Sequence, residues 1–224
     1  MKPIPPILPR PARAPAEAAG AGRGRYHHGD LAEALIAAAR DLVEREGPAR
    51  LTLSACCRAA GVSTAAPYKH FSGKEDVLRR VVMAGFRELT EETAAARDAH
   101  PGPAAPRIAA MGRAYVRFAR RSPGVFRLMF GMAGEAHGGA HPELDEAGRA
   151  CFDVLIAEVA RAIGGRAEDE AARGLSVMLW TFVHGVASLD TDGAYEAETA
   201  ADVDAMIEAA TLRLLPQLDE TGGS

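Results

Sequence analysis

Residues 51–78 read LTLSACCRAAGVSTAAPYKHFSGKEDVL, and the placing of the caps and glycines along them decides the fold. Thr52 stands at a helix N-cap position before Leu53, and Gly61 closes that helix, because glycine accepts the left-handed backbone that a helix end requires. After a short turn Ser63 caps a second helix, expected over Thr64 to His70. Ser72 and Glu75 have capping-box spacing and open a third, carrying Val77, Leu78, Val81, Val82, Phe86 and Leu89 at helical intervals. Two short helices about a tight glycine-containing turn, braced by longer ones, have the outline of a helix-turn-helix.

Upstream, Asp30 is a plausible N-cap for a helix in which Leu31, Leu35, Ala38, Ala39 and Leu42 recur on one face. Arg40, Asp41, Glu44 and Arg45 are turned outward, and Gly47-Pro48 ends the pattern. Residues 1–24 hold six of the 14 prolines and can bury no core, so they are expected to be a disordered Pro/Ala/Arg-rich tail that either stays solvated or reaches along a DNA groove. Downstream, helical periodicity predicts elements over about 107–121, 123–130, 143–163, 168–189 and 200–214, separated by the Pro-rich linker at 100–106 and a Gly- and His-containing loop at 131–142. No stretch alternates as a strand does, so the fold class is all-α.

The formal charge of −4 conceals a division, +5 over residues 1–80 and −9 over 81–224, which suits contact of one end only with a polyanion. Three cysteines, two of them adjacent, exclude a disulfide framework or an all-cysteine zinc site. No window approaches the roughly 18 apolar residues of a spanning helix, and prolines stand where a secretion signal would be apolar, so a cytoplasmic protein without membrane attachment is expected. Aromatic residues are only 5% of the chain. Tyr115, Phe118, Phe126, Met129, Phe130 and Phe152 are nevertheless concentrated between the linker and the second half of the body, where they form either a plain core or the lining of an apolar pocket. Trp180 and His184, four apart, share a helical face with each other.

Tyr26-His27-His28-Gly29-Asp30-Leu31, Gly47, Leu53, Ala60-Gly61-Val62-Ser63, Tyr68-Lys69-His70-Phe71 and Lys74-Glu75-Asp76-Val77-Leu78 together resemble the tetracycline-repressor (TetR) family of bacterial transcriptional regulators. Trp180-Thr181-Phe182-Val183-His184-Gly185 is similar to the signature of one C-terminal type within it. The resemblance implies a disordered tail at 1–24, a three-helix DNA-binding domain over 25–86, a helical effector-binding and dimerisation domain over 87–217, and a flexible tail at 218–224. In that frame Ser63 caps the helix that enters the major groove, and Thr64, Ala65, Ala66 and Lys69 face base edges. Tyr68, His70, Thr52 and Lys74 are suited to phosphates. An unidentified small-molecule effector would meet Tyr115, Phe118, Phe126, Met129, Phe130, Phe152, Trp180 and His184. A homodimer would form through Leu175, Met178, Leu179, Phe182, Met206, Ile207, Ala210 and Leu214, with Gly174 and Gly185 allowing close approach, and would grip a palindromic double-stranded operator.

The chain departs from the family at Ala55, where an acidic residue would complete the capping box of Thr52, and at Cys56 and Cys57, which are read as small hydrophobes filling a helix interface rather than a thiol switch. His137 and His141 lie in a loop without an accompanying carboxylate, and no nucleophile elbow, P-loop or dinucleotide fingerprint occurs. Neither catalysis, a metal nor a cofactor is therefore expected. A repressor released by a small molecule is the favoured reading; a helix-turn-helix module controlled by a protein partner is the alternative.

Overall fold

A computed structural model of the protein describes residues 28–65, 67–136, 141–195 and 200–215, and these form eight α-helices and two single turns of 3-10 helix. The tails at 1–24 and 218–224, Tyr26, His27, Ala66 and His137 lie outside the described residues, as does the side chain of Lys69. Helix α1 runs over His28–Glu46, α2 over Leu53–Ala60, α3 over Lys74–Asp98 and α4 over Ala104–Arg121. The rest of the body is α5 (Pro123–Ala136), α6 (Pro142–Ala162), α7 (Glu170–Thr191) and α8 (Ala200–Leu214). The all-α architecture is the one the sequence predicts.

The head is built from α1, α2 and the first half of α3. Leu35, Ala39 and Val43 of α1 meet Cys56 and Cys57 of α2, Phe71, and Val77, Val81 and Val82 of α3, all buried. Both cysteines are fully buried, as small hydrophobes in a helix interface should be, and burial pushes both thiols above their ordinary value. Gly61 takes φ 69°, and its N–H and that of Val62 return to the carbonyls at the end of α2, with Val62 N to Cys57 O at 3.0 Å. That left-handed cap turns the chain sharply out of α2.

Two local expectations are corrected. The helix predicted over Thr64 to His70 is a turn at Thr64 and Ala65 followed by one turn of 3-10 helix at Pro67–Lys69. Pro67 has no N–H to bond the carbonyl of Ser63 and clashes with a continuous α ladder, so regular structure restarts at the proline. The capping box at Ser72 and Glu75 is also shifted by one residue: Gly73 is the N-cap of α3, and Asp76 reaches back to the N–H of Ser72 at 3.0 Å.

Helix α3 runs on through residue 86, the end of the DNA-binding domain that the resemblance implies, as its periodic residues through Leu89 predict. Its 25 residues carry the head core into the body, where it packs on α4, α5 and α6. Val81, Phe86 and Leu89 therefore belong to one continuous core with Phe118, Phe126, Met129 and Ile207. Farther out, Glu158 of α6 receives Arg107 of α4 at 2.7 and 3.1 Å and Arg161 at 2.5 Å. Burial raises its pKa, but those hydrogen bonds outweigh burial and hold the carboxyl below its ordinary value.

The junction between α4 and α5 is a close contact between head and body. Ser122 is buried and its Oγ accepts from Arg40 of α1 at 2.9 Å. At Gly124 a Cβ would lie 2.9 Å from the carbonyl oxygen of Val43 and 3.0 Å from Cα of Glu44. Backbone atoms cannot swing aside as a side-chain tip can. Gly124→Ala is accordingly expected to destabilise the protein by about 1–3 kcal/mol despite alanine's better helix propensity, a fall of roughly 2–10 °C in Tm by thermal denaturation.

Candidate nucleic-acid interface and ligand cavity

The cap of α2 and the turn that follows expose the polar residues of the head. Thr52 Oγ1 accepts from the N–H of Ala55 at 3.1 Å, satisfying one orphan donor of α2 without the missing acidic partner. Ser63 Oγ accepts from the N–H of Ala65 at 3.4 Å. Thr52, Ser63, Thr64 and Ala65 are all exposed, and Tyr68 leaves 67% of its surface free. A phenol held out from a one-turn helix has no place in the core, and Tyr68 does not pack within the head. Phe71 does pack inward, with the Arg80 guanidinium 5.1 Å above its ring.

His70 is half-buried beside this turn, its N–H bonded to the Pro67 carbonyl at 2.9 Å. Lys74 Nζ donates to the Ala49 carbonyl at 3.0 Å, so the ammonium expected to meet phosphate also ties the start of α3 to the turn after α1. Its remaining donors leave room for an anion. Thr52, Ser63, Thr64, Ala65 and Tyr68 thus form an exposed ridge, with His70 and Lys74 at its base.

In the body, a cavity of about 640 Å³ opens between α3, α4, α5, α6, α7 and α8. Of the residues predicted to line it, Tyr115, Phe130, Phe152, Trp180 and His184 do, while Phe118, Phe126 and Met129 are buried in the core beside it. The correction is one of orientation: aromatic density marks the region, whereas the face of each helix decides which rings reach the space. The sequence reading missed Phe86, Thr93, Met111, Cys151 and Val183 among the lining. Met111 falls four residues before Tyr115, and Val183 three after Trp180, and that spacing was the available signal.

Aromatic geometry fixes the cavity wall. His184 stacks on Trp180 with centroids 5.2 Å apart and meets the edge of Phe130 at 4.5 Å. Its Nδ1 shares a hydrogen bond of 2.9 Å with the Tyr115 hydroxyl. Burial lowers the pKa of His184 and raises that of Tyr115, so both are neutral at neutral pH. Burial also pushes the Cys151 thiol up to about 11, which makes it an inert wall rather than a nucleophile. Thr93 and Thr211 spend their hydroxyl protons on carbonyls of their own helices, at 2.8 Å to Leu89 and 2.7 Å to Ile207.

Helix α5 joins cavity and head. Phe130 lines the cavity from this helix, and at its N-terminus Glu44 of α1 accepts from the N–H groups of Gly124 at 2.8 Å and Val125 at 2.9 Å. Arg40, one turn before Glu44, binds Glu88 of α3 as well as Ser122. Arg121 adds bonds to Glu88 at 2.9 Å and to Glu92 at 2.5 Å. Glu88 is raised by burial and lowered more strongly by these two guanidinium groups, so it is ionised.

The predicted dimer residues divide between two faces. Leu175, Leu179 and Ile207 are buried within the protomer, and Ile207, fully covered, has no surface left for another chain. Phe182, Met206, Ala210 and Leu214 are half-buried. Met178 is 51% exposed and Leu189 50%, and with Gly174, Phe182 and Gly185 they form a stripe along one side of α7; Leu212 of α8 is 47% exposed. A Cβ on Gly174 or Gly185 would meet nothing within the protomer. Among the described residues no cluster of His, Cys, Asp and Glu could hold a metal, and no helix is long and apolar enough to cross a membrane.

Comparison with known proteins agrees with this geometry. Residues 35–81 match the family described as "Bacterial regulatory proteins, tetR family", and residues 108–214 match "Tetracyclin repressor-like, C-terminal domain". A solved structure of a protein of unknown function from Rhodococcus sp. RHA1 is 34% identical, covering 85% of this chain and 96% of that one, with a TM-score of 0.71. A tetR-family transcriptional regulator from Streptomyces coelicolor is 17% identical over 83% of this chain and 80% of its own, with a TM-score of 0.68. The fatty acid degradation regulator FadR from Bacillus halodurans is 15% identical over 84% and 96%, with a TM-score of 0.64, and these last two share the fold alone. No curated protein matches the chain.

The depressed pKa of His184 has a thermodynamic signature. The unfolded chain takes up the imidazole proton near pH 6.5 and the folded chain only at lower pH, so stability from this site falls as pH drops through 6.5 and levels off below the folded value. Thermal melts between pH 7.5 and 5 should show a steeper loss for the parent protein than for His184→Phe. Parallel curves would show that the imidazole has no shifted titration.

Proposed function

Because the chain belongs to the tetracycline-repressor family of bacterial transcriptional regulators, we propose that it is a homodimeric, cytoplasmic repressor released from a palindromic operator by a small-molecule effector. The observation that carries this reading is the double attachment of α5, which lines the cavity through Phe130 and is bonded to α1 of the head through Glu44. A ligand that displaces Phe130 shifts the helix on whose N-terminus the head is seated. Release then requires only that the ligand prefer a head position that mismatches the DNA. A largely apolar, aromatic-lined cavity of this kind between helices favours control by a small molecule over control by a protein partner.

The head supplies the matching DNA chemistry. Thr64, Ala65 and Lys69 are assigned to base edges, with Ala66 between them, and Thr52, Tyr68, His70 and Lys74 to phosphates that set position and affinity. The dimer forms through the exposed stripe of α7 and its neighbour α8, with Met178 and Leu189 at its centre. Leu175, Leu179 and Ile207 support that face from behind. Two heads would then read half-sites in successive major grooves.

Fluorescence anisotropy against the DNA upstream of the protein's own gene, at about 50 and about 200 mM salt, tests the DNA reading. Selective binding should weaken steeply between the two, and Tyr68→Ala or Lys69→Ala should cost roughly five- to fiftyfold. Binding that ignores salt and both substitutions would sink it. Met178→Glu should convert the dimer to monomer by light scattering, since it sets a charge in an apolar contact. Glu44→Gln should keep the fold and operator affinity within a few fold, while a compound that enters the cavity loses most of its power to lower that affinity. Full release in Glu44→Gln would place the coupling elsewhere.

A further inference from the structure

The chemistry of the cavity wall narrows what it can hold. At roughly 30 Å³ for each water-sized group, about 640 Å³ has room for roughly twenty non-hydrogen atoms. Most of the wall is apolar. The hydroxyl protons of Thr93 and Thr211 are committed to their own helices, so neither can donate to a ligand, and Cys151 is a protonated thiol. The charged residues of the lining are Asp145 and Arg149, one turn apart on α6 and opposite in sign, with Arg149 exposed to solvent. The two sum to no net charge, and an ion carried past them to the aromatic rings would give up its hydration without a partner there, which lowers affinity by orders of magnitude.

Of the ring nitrogens in the wall, the Trp180 N–H is directed at the Tyr115 hydroxyl, which leaves one on His184. His184 uses Nδ1 for the Tyr115 hydroxyl, while Nε2 has no protein partner among the described residues and is not sealed in the core. The ring stacks on Trp180 and is wedged against Phe130, so Nε2 is held in a fixed direction at the cavity wall. A rigid, lone hydrogen-bonding atom in an apolar chamber selects a ligand carrying one complementary group and penalises one carrying several.

We infer that the cavity takes an uncharged, largely apolar molecule of roughly twenty non-hydrogen atoms or fewer, oriented by one hydrogen-bonding group at Nε2 of His184. This rests on the reading of the cavity as the effector site and adds the chemical class of the effector. The opposite class, an amphiphilic ion with its charge buried beside the aromatic rings, is excluded by the same wall.

The chain has one tryptophan, Trp180, and it lines the cavity, so its emission reports occupancy without a label. The full-length protein is titrated with 1-dodecanol, dodecanoate and dodecylammonium, which share a chain and differ in head-group charge, and with 1-chlorododecane, which lacks the hydroxyl. The alcohol should bind at least tenfold more tightly than either ion. In His184→Phe the alcohol should lose about tenfold, the worth of one hydrogen bond of about 1.4 kcal/mol, whereas the chloride should change less than twofold. Circular dichroism of the variant checks that the fold is kept, and His184→Gln, which restores a polar atom, should recover part of the loss. Equal or tighter binding of an ion, or an alcohol affinity indifferent to His184→Phe, overturns the inference and leaves the cavity a ligand site of another class. Unchanged Trp180 emission with all four probes overturns both this inference and the effector reading on which it rests.

Discussion

The carboxylate of Glu44, seated on the N-terminus of α5, fixes how the first helix of the head sits on the body. Two backbone N–H groups that the helix cannot use internally are taken by one carboxylate, at 2.8 and 2.9 Å, where the helix dipole also favours negative charge. The approach is possible because Gly124 carries no side chain against the α1 backbone. Arg40, a turn earlier, holds Ser122 and Glu88, so the same face of α1 grips α3 and the junction of α4 with α5. Ionic and close-packed contacts of this kind are short-ranged and directional. A small displacement of α5 is therefore passed to α1 rather than absorbed between them.

Helix α7 shows how one element can serve three surroundings. Trp180 and His184 turn to the cavity, which Leu179 also lines, Leu175 to the protomer core, and Met178 and Leu189 outward. Only about a hundred degrees of a helix is needed for each face. An apolar residue is thus required on nearly every side, and a polar pair, His184 with Tyr115, sits where the cavity and the core meet. A hydrogen bond there costs little desolvation that is not repaid, because each ring satisfies the other.

Much of this was legible in the sequence, for local reasons. The start and end of α2 follow from Thr52 and Gly61, whose cap bonds involve residues within a few positions, and the periodic helices follow from which face is apolar. What escaped notice depended on distant partners or on orientation. Glu44 reads as a solvated charge on the outer face of α1, and its partners lie about eighty residues away, at Gly124 and Val125. Phe118, Phe126 and Met129 belong to the same aromatic cluster as the cavity residues, yet they point into the core. Leu175, Leu179 and Ile207 were assigned to a partner chain because an apolar face looks alike whether it meets its own body or another's. The shifted cap of α3 came from two acidic residues at neighbouring positions, Glu75 and Asp76, either of which could reach back. The expected helix over Thr64 to His70 runs through Pro67, at which regular structure begins.

The unbroken run of α3 has a mechanical consequence. At 1.5 Å of rise per residue its 25 residues make a rod of about 37 Å, close to one repeat of B-DNA. The N-terminal end of the rod carries the head and the other end lies among the helices of the body. Pivoted at its far end, such a lever tilted by only about 5° carries its tip through roughly 3 Å, nearly the step between neighbouring base pairs. Movements too small to disturb the packing around the cavity are thereby enlarged to the scale on which a duplex is read.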